Sequence, residues 1–476
     1  MAVTEPRLGR VTNDGGQPFL AGNLFPVDRE LDAPCEVVGT LPEGLAGTFV
    51  RNGPNPMFEP LGKYHMFDGD GMLHSVVFGQ GTPAYRNRWI RTAALEAEMR
   101  QGRALYHGLA ELFEFPDPKL VGDAGPIKNP ANTHIIRHAG RHLALWEGGP
   151  PTEVTADLDT IGLHDFDGRL VGGMTAHPRL DPRTGEMLFF AYSPIPPYLR
   201  YHVADATGAL VHSIEIELPA PVMMHDFVIT ESYAILLDSP ARFDLSGEGD
   251  DMMRWQPELG CRLGVLPRLG GPDEVRWFDI EPGHVQHFWN AWEDGDRIVL
   301  SGSRLGHADF GMDSGGDLDD SSADATAGRP ADFWIDLAAG TAGWTPRDDL
   351  GGDFCRINDE YDGVRNRFDY MAAFLGDNDV IGDFDTIVKY DNVSGERTLW
   401  HAGADGHVGE AVFAPDPAGS AEDDGWLLSA VYDSARDTSE VVVLDARDVA
   451  AGPIARVRIP QRMPFGFHAN WFAADA

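Results

Sequence analysis

Four histidines stand apart from the 17 in this chain. His177 lies in MTAHPRLDPRTGE, His225 in MMHDFVITESYAILLD, His287 in HFWNAWEDGD and His468 in PFGFHANW. Each sits in or beside a strand-like segment rich in aromatics, Met or Pro, not in a flexible polar loop. Neutral imidazole is a good ligand for divalent first-row metals, and four such rings leave the ion dipositive with open positions. The intervals between the four are 48, 62 and 181 residues, the last about three times sixty. Four picks from 17 fit many periods, so spacing alone suggests a metal centre without establishing one.

Residues this far apart converge only if the fold gathers them. Strand-like runs follow one another along the chain, at 142–147, 187–192, 226–238, 297–301, 426–432 and 440–445, with a hairpin signature at 201–216. The 55 Gly and 34 Pro punctuate them. Strands arriving in groups predict an all-β, seven-bladed β-propeller, at about 40 to 60 residues per four-stranded blade. One histidine on the inner strand of each of four blades would set four imidazoles around the axis, the intervals matching one, one and three blades. Residues 1–40 read as an irregular N-terminal extension and 41–476 as a single propeller domain. Only 94–115 has helical periodicity, an excursion expected to form a helical and loop cap over one face. The acidic stretch 308–331 reads as a surface loop.

Composition sets outer limits. The 37 Lys+Arg against 75 Asp+Glu leave a net charge of −38. Such a surface repels phosphate backbones and anionic headgroups, so nucleic acid is not an expected partner and a neutral or apolar small molecule is. Cys35, Cys261 and Cys355 are far apart and form no CxxC, which fits a reducing, cytoplasmic location. No run approaches the roughly 18 continuous apolar residues of a spanning helix, leaving peripheral membrane contact through an apolar patch as the expected limit. There is no GxSxG, GxxxxGK[ST] or HExxH motif, so hydrolase and phosphate-loop chemistry are poorly supported. The FDGDG and DLDD runs lack EF-hand spacing and read as turns and solvated acid.

From about residue 40 to the C-terminus the chain resembles the carotenoid cleavage oxygenase family. The resemblance rests on FVRNGPNP (49–56), YHMFDGDGMLH (64–74), ANTHIIRHAGRHLALWE (131–147), the four histidine segments, FDTIVKYD (384–391) and EDDGWLLSAVYD (422–433), all in one order. It implies a seven-bladed propeller holding one non-haem Fe(II) by four histidines and splitting carbon–carbon double bonds with O2. It also implies His177, His225, His287 and His468 as ligands, with Glu147 behind His225 and Glu410 behind His468. Where the family has Glu-Phe-Pro-Arg this chain reads Asp353-Phe354-Cys355-Arg356, so the expected partner of His287 is one methylene shorter. A shorter carboxylate must draw its strand inward, use a bridging water or hold His287 more loosely. Thr133, in ANTH, falls where the family places a small side chain that crowds the open coordination position. His65 and His74, flanking FDGDG, resemble scaffold positions.

The resemblance implies a carotenoid or apocarotenoid as the first substrate class and a phenolic stilbenoid as the second. A stilbene cleaver needs a Lys and a Tyr for the phenol oxygen, and Lys128 and Tyr106 are the candidates. Phe58, Trp89, Phe288, Trp289, Trp292, Phe465 and Phe467 are candidate walls of an apolar tunnel. From a different class, the chain could be a non-catalytic polyene-binding propeller, and an intact ligand held without O2 consumption would distinguish it.

Overall fold

In the computed structural model, residues 7–111, 113–244, 253–308, 328–375 and 383–474 are described. Seven antiparallel sheets follow one another, with a two-stranded insertion, Ala241–Phe243 with Met253–Trp255. They form the seven-bladed propeller. Blade two runs from His134 to Leu163, blade three from Arg179 to Ile216, blade four from Val228 to Ile280 and blade five from His284 to Pro346. Blade six spans Gly352–His401. The ring closes twice. The last strand, Ala469–Ala473, joins Gly47–Pro54 of blade one, while Glu36–Gly39 pairs with Pro453–Arg458 of blade seven. Thus the segment 1–40, expected to be irregular, contributes a strand to blade seven, and Asp32–Pro34 adds an edge strand to blade one. Both are only three or four residues long, too short for a period to show in sequence.

The core explains why many strands read as unbroken apolar runs. In Met187–Tyr192, Leu188 and Phe190 pack toward blade four, while Met187 and Phe189 pack toward blade two. Side chains alternate across a strand, and here both faces meet a neighbouring blade. Comparable clusters fill the other junctions, such as Phe49, Val76, Leu428 and Val441 between blades seven and one, and Val228, Val265, Ala291 and Leu300 between blades four and five.

Helix is confined largely to the passage from blade one to blade two. The helix Ala93–Gln101 starts on the Thr92 hydroxyl, which accepts from the Leu95 N–H, and stops at Gly102, whose φ of 69° is left-handed. The helical expectation for 94–115 therefore holds only to Gln101; a 3-10 turn at Leu109–Glu111 follows. Most of the acidic stretch 308–331 lies outside the described residues, but its last three belong to the strand Arg329–Asp336. Expected strand 226–238 divides into Val228–Ile229 and Tyr233–Asp238, because Thr230 and Ser232 turn the chain by bonding Glu293.

Burial of both strand faces gives a test. Phe189→Ala and Phe190→Ala, on opposite faces of one strand, should each cost about 3–5 kcal/mol in chemical denaturation. A loss below about 1 kcal/mol for either would contradict the two-sided packing.

Candidate metal centre

The propeller brings the four histidines to its hub. His177 immediately precedes the first strand of blade three after Pro178, His225 precedes that of blade four, His287 lies on the first strand of blade five, and His468 precedes the closing strand of blade one. The strand His284–Asp294 slips register between Val285 and Phe288 and again between Phe288 and Asn290. Such bulges redirect side chains. Gly302, on the adjoining strand, accommodates this one: a Cβ there would meet Val285 Cγ1 at 2.7 Å and the His287 carbonyl at 3.0 Å.

All four rings are buried, and one ligand atom from each can be chosen so that all lie within 4.8 Å of one another. His225 Nδ1 meets Glu147 Oε2 at 2.8 Å, His287 Nδ1 meets Asp353 Oδ1 at 2.8 Å, and His468 Nδ1 meets Glu410 Oε1 at 3.0 Å. A carboxylate can only accept, so each Nδ1 carries the proton and each Nε2 keeps a lone pair. His225 Nε2 and His287 Nε2 then face each other at 3.2 Å. Two lone pairs that close repel unless a metal ion, or a proton on one of them, stands between them. Nitrogens each about 2.1 Å from one ion, at right angles, would be about 3 Å apart, so the pair fits a shared metal. His177 has no such carboxylate; its Nε2 is buried without a hydrogen-bond partner, as a ligand nitrogen should be.

Burial, reinforced by the neighbouring imidazoles, holds the pKa of His177 and His468 well below the ordinary histidine value. His287 differs: burial disfavours its charge, yet the Asp353 carboxylate beside it carries its pKa above the ordinary value. These shifts keep His177 and His468 neutral and able to donate a lone pair.

Asp353 reaches His287 directly, as closely as Glu147 reaches His225, so the expected looser hold is not seen. The strand Gly352–Arg356, on which Asp353 lies, bulges between Asp353 and Arg356, with Phe354 at φ 56°. Glu410 is anchored further by the Ala469 N–H at 2.6 Å and by Arg356 at 3.7 Å. Thr133 lies beside the centre through its backbone: its carbonyl accepts the His468 N–H at 3.1 Å, while its hydroxyl donates to Asn132 at 3.1 Å. His65 and His74 serve the scaffold, His65 Nδ1 accepting from the Phe67 N–H at 3.2 Å and His74 Nδ1 meeting the Tyr85 hydroxyl at 2.7 Å.

Three further side chains were not singled out from sequence. Asp226 bonds the N–H of Phe227 and of Phe288 and takes Arg179 in a two-point pair at 2.9 Å, tying blades three, four and five behind their histidines. The signal was a charge beside each histidine, in HDFVIT and HPRL, at the start of otherwise apolar strands. His134, in ANTH, is a fifth hub imidazole, its ring 5.2 Å from that of His468.

The aromatic residues expected to wall one tunnel border different cavities, with Phe467 packed beside Phe465. Phe58 lines a cleft with Tyr106, Lys128 and Trp146, the last adjoining Glu147. Phe288 and Trp289 line a cavity at the hub. Phe465 borders a third space near Arg51. Trp89 is core, its indole N–H donating to the Asn55 carbonyl at 2.8 Å. Phe58, Phe288 and Phe465 come from separate segments of the ring, so a shared aromatic type does not bring them to one space. Lys128 and Tyr106 do share a cleft, but both are engaged: the ammonium pairs with Asp70 at 2.6 Å and Glu98 at 2.8 Å, and the phenol donates to the Gly125 carbonyl at 3.2 Å.

A propeller whose hub gathers four buried imidazoles, three of them steered by carboxylates, is a metalloenzyme scaffold. Residues 24–473 match the family described as Retinal pigment epithelial membrane protein, RPE65. The chain is 35% identical to a carotenoid cleavage oxygenase of Mycobacterium tuberculosis, over 95% of this chain and 97% of that protein. It is also 35% identical to the carotenoid 9,10(9',10')-cleavage dioxygenase 1 of Arabidopsis thaliana, over 97% and 91%. The crystal structure of the Pseudomonas brassicacearum lignostilbene dioxygenase superposes with a TM-score of 0.89 at 31% identity, over 96% of this chain and 98% of that one. The chain belongs to the RPE65/carotenoid cleavage oxygenase family and is an enzyme of its dioxygenase type, with a buried four-histidine metal site.

The carboxylates should be felt in metal affinity. Asp353→Asn, nearly the same size but without the charge, should weaken binding of Co(II), a spectroscopic stand-in, by about 10- to 100-fold in equilibrium titration. Unchanged affinity would show that Asp353 does not steer His287.

Proposed function

We propose that the chain is an iron(II) dioxygenase that splits a double bond of a conjugated, largely apolar alkene with O2, giving aldehyde or ketone products. The facing Nε2 atoms of His225 and His287 carry this reading. Ferrous iron would be held by His177, His225, His287 and His468 and would supply activation of O2. The protein's own part is positional. Glu147, Asp353 and Glu410 fix the tautomers, and Thr133 would help hold His468 in place through its backbone bond to that residue. Burial of the hub keeps bulk water away from the reacting bond.

A carotenoid or apocarotenoid is the first substrate class, supported by the relatives named above. A phenolic stilbenoid is the second, favoured by one observation: Phe58, Tyr106 and Lys128 line a single cleft. Lys128 is already paired with Asp70 and Glu98, so this end of the cleft suits a neutral phenol that donates its proton better than a phenolate. Burial first, then the Glu98 carboxylate, pushes the Tyr106 phenol up to about 12, so it too stays a hydrogen-bonding group and not an anion. The three free, buried cysteines support a reducing, cytoplasmic location.

Aerobic assays with an apocarotenoid and with a hydroxystilbene, Fe(II) added and aldehydes identified by mass spectrometry, decide between the classes. His225→Ala should abolish iron binding and turnover while keeping a β-rich circular dichroism spectrum; full activity would contradict the ligand assignment. If the phenolic substrate is used, Lys128→Met or Tyr106→Phe should raise its KM about tenfold or more and leave a methyl-ether analogue unaffected. Equal effects on both analogues would remove the phenol-binding role.

Peripheral membrane contact is proposed on the same side. Ile127, Glu114 and Pro116 border the cleft, and Phe113, Phe115 and Ile127 are 61%, 57% and 45% exposed. No helix among the described residues is long and apolar enough to cross a membrane. Phosphatidylcholine vesicles should co-sediment the protein, and Phe113→Ser with Phe115→Ser should release it; no vesicle binding by the wild type would end this proposal.

A further inference from the structure

A second cavity, separate from the cleft of Phe58 and Lys128, touches the metal ligands. It is a hub cavity of about 130 Å³, bordered at its inner end by His177, His287 and His468, with room for several waters. Asp359, whose side chain is 66% exposed, stands at its outer end.

Two metal-ligating atoms in its wall have no protein partner. Asp362 is 9% exposed, and its Oδ1 is buried without a hydrogen bond. His134 is 7% exposed; its Nδ1 lies 2.8 Å from the Ala176 carbonyl and must donate to it, which leaves Nε2 as a lone pair, also buried and unpartnered. The His134 ring lies 5.2 Å from that of His468 and 6.0 Å from that of His177. The cavity's other charges are matched: Arg179 is held by Asp226, and Arg356 by Asp359 at 3.2 Å and Glu410 at 3.7 Å. Asp362 is the carboxylate left over. Burial, with Asp359 and Asp226 adding to it and Arg179 opposing, pushes its pKa up to about 6. A cation passing Asp362 would relieve that cost.

We propose that this cavity is the loading route for the divalent metal ion, with Asp362 and then His134 as transient ligands that pass it to the four histidines. A carboxylate that draws the hydrated ion inward, followed by one imidazole, lets hydration waters be exchanged stepwise instead of all at the hub. Neither residue belongs to the final ligand set, so both act on the rate of metal entry and not on the affinity of the filled site. The proposal rests on the four-histidine site being a metal site, and the experiment separates the two.

Metal-stripped protein is mixed rapidly and anaerobically with Co(II), and the visible d–d absorption of the bound ion is followed in time. Equilibrium titration of the same samples gives stoichiometry and affinity. Asp362→Asn and His134→Gln should each slow loading by about tenfold at low ionic strength and leave one ion bound at unchanged affinity. Asp362→Glu, which keeps the charge, should load within about twofold of wild type; added salt should slow the wild type more than Asp362→Asn. Far-UV circular dichroism and thermal melting check folding, and His134→Gln carries the test if Asp362→Asn does not fold. Wild-type loading rates in both Asp362→Asn and His134→Gln would overturn the route, as would slowing by Asp362→Glu equal to that by Asp362→Asn. A wild type that binds no Co(II) at all would instead sink the metal site itself.

Discussion

The hub is organised around one electrostatic problem. Three imidazoles are committed by carboxylates to carry their protons on Nδ1, and this turns their Nε2 lone pairs toward a common point. The 3.2 Å between His225 Nε2 and His287 Nε2 is comfortable only with positive charge between them. The protein thus builds a site that is unfavourable when empty and favourable around a dipositive ion. Glu147, Asp353 and Glu410 are therefore as much part of the centre as the rings they hold.

The propeller makes this arrangement affordable to a chain whose successive ligands are up to 181 residues apart. Each histidine needs only to stand at the hub end of its own blade, and packing between blades fixes where those ends lie. Because both faces of a strand such as Met187–Tyr192 are buried against neighbours, a shift of one blade is resisted from two sides. The double closure, by Ala469–Ala473 in blade one and Glu36–Gly39 in blade seven, ties the His468 corner to the rest of the ring.

Much of this could be read from the amino acids, and the reasons are physical. Blade strands such as 187–192 and 440–445 are apolar and bounded by turn residues, and the four histidines are polar interruptions in such segments. Contacts carried by backbone geometry were not legible. That Asp353 reaches His287 from a strand with a bulge and a left-handed φ at Phe354 is something no residue type announces. The strand at Glu36–Gly39 was hidden because its partner, Pro453–Arg458, lies at the other end of the chain. The early end of the helix at Gln101 followed from Gly102 and was in principle visible. The scattering of the aromatics was not, since Phe58 and Phe465 stand in connections outside the blade strands, whose course no periodicity gives.

X-ray absorption at the iron edge, on protein reconstituted anaerobically with Fe(II), tests the central claim most directly. Four nitrogen scatterers at about 2.1 Å with the multiple-scattering pattern of imidazole are the result expected of His177, His225, His287 and His468 around one ion. A shell of oxygen or sulfur with two or fewer imidazoles would contradict it.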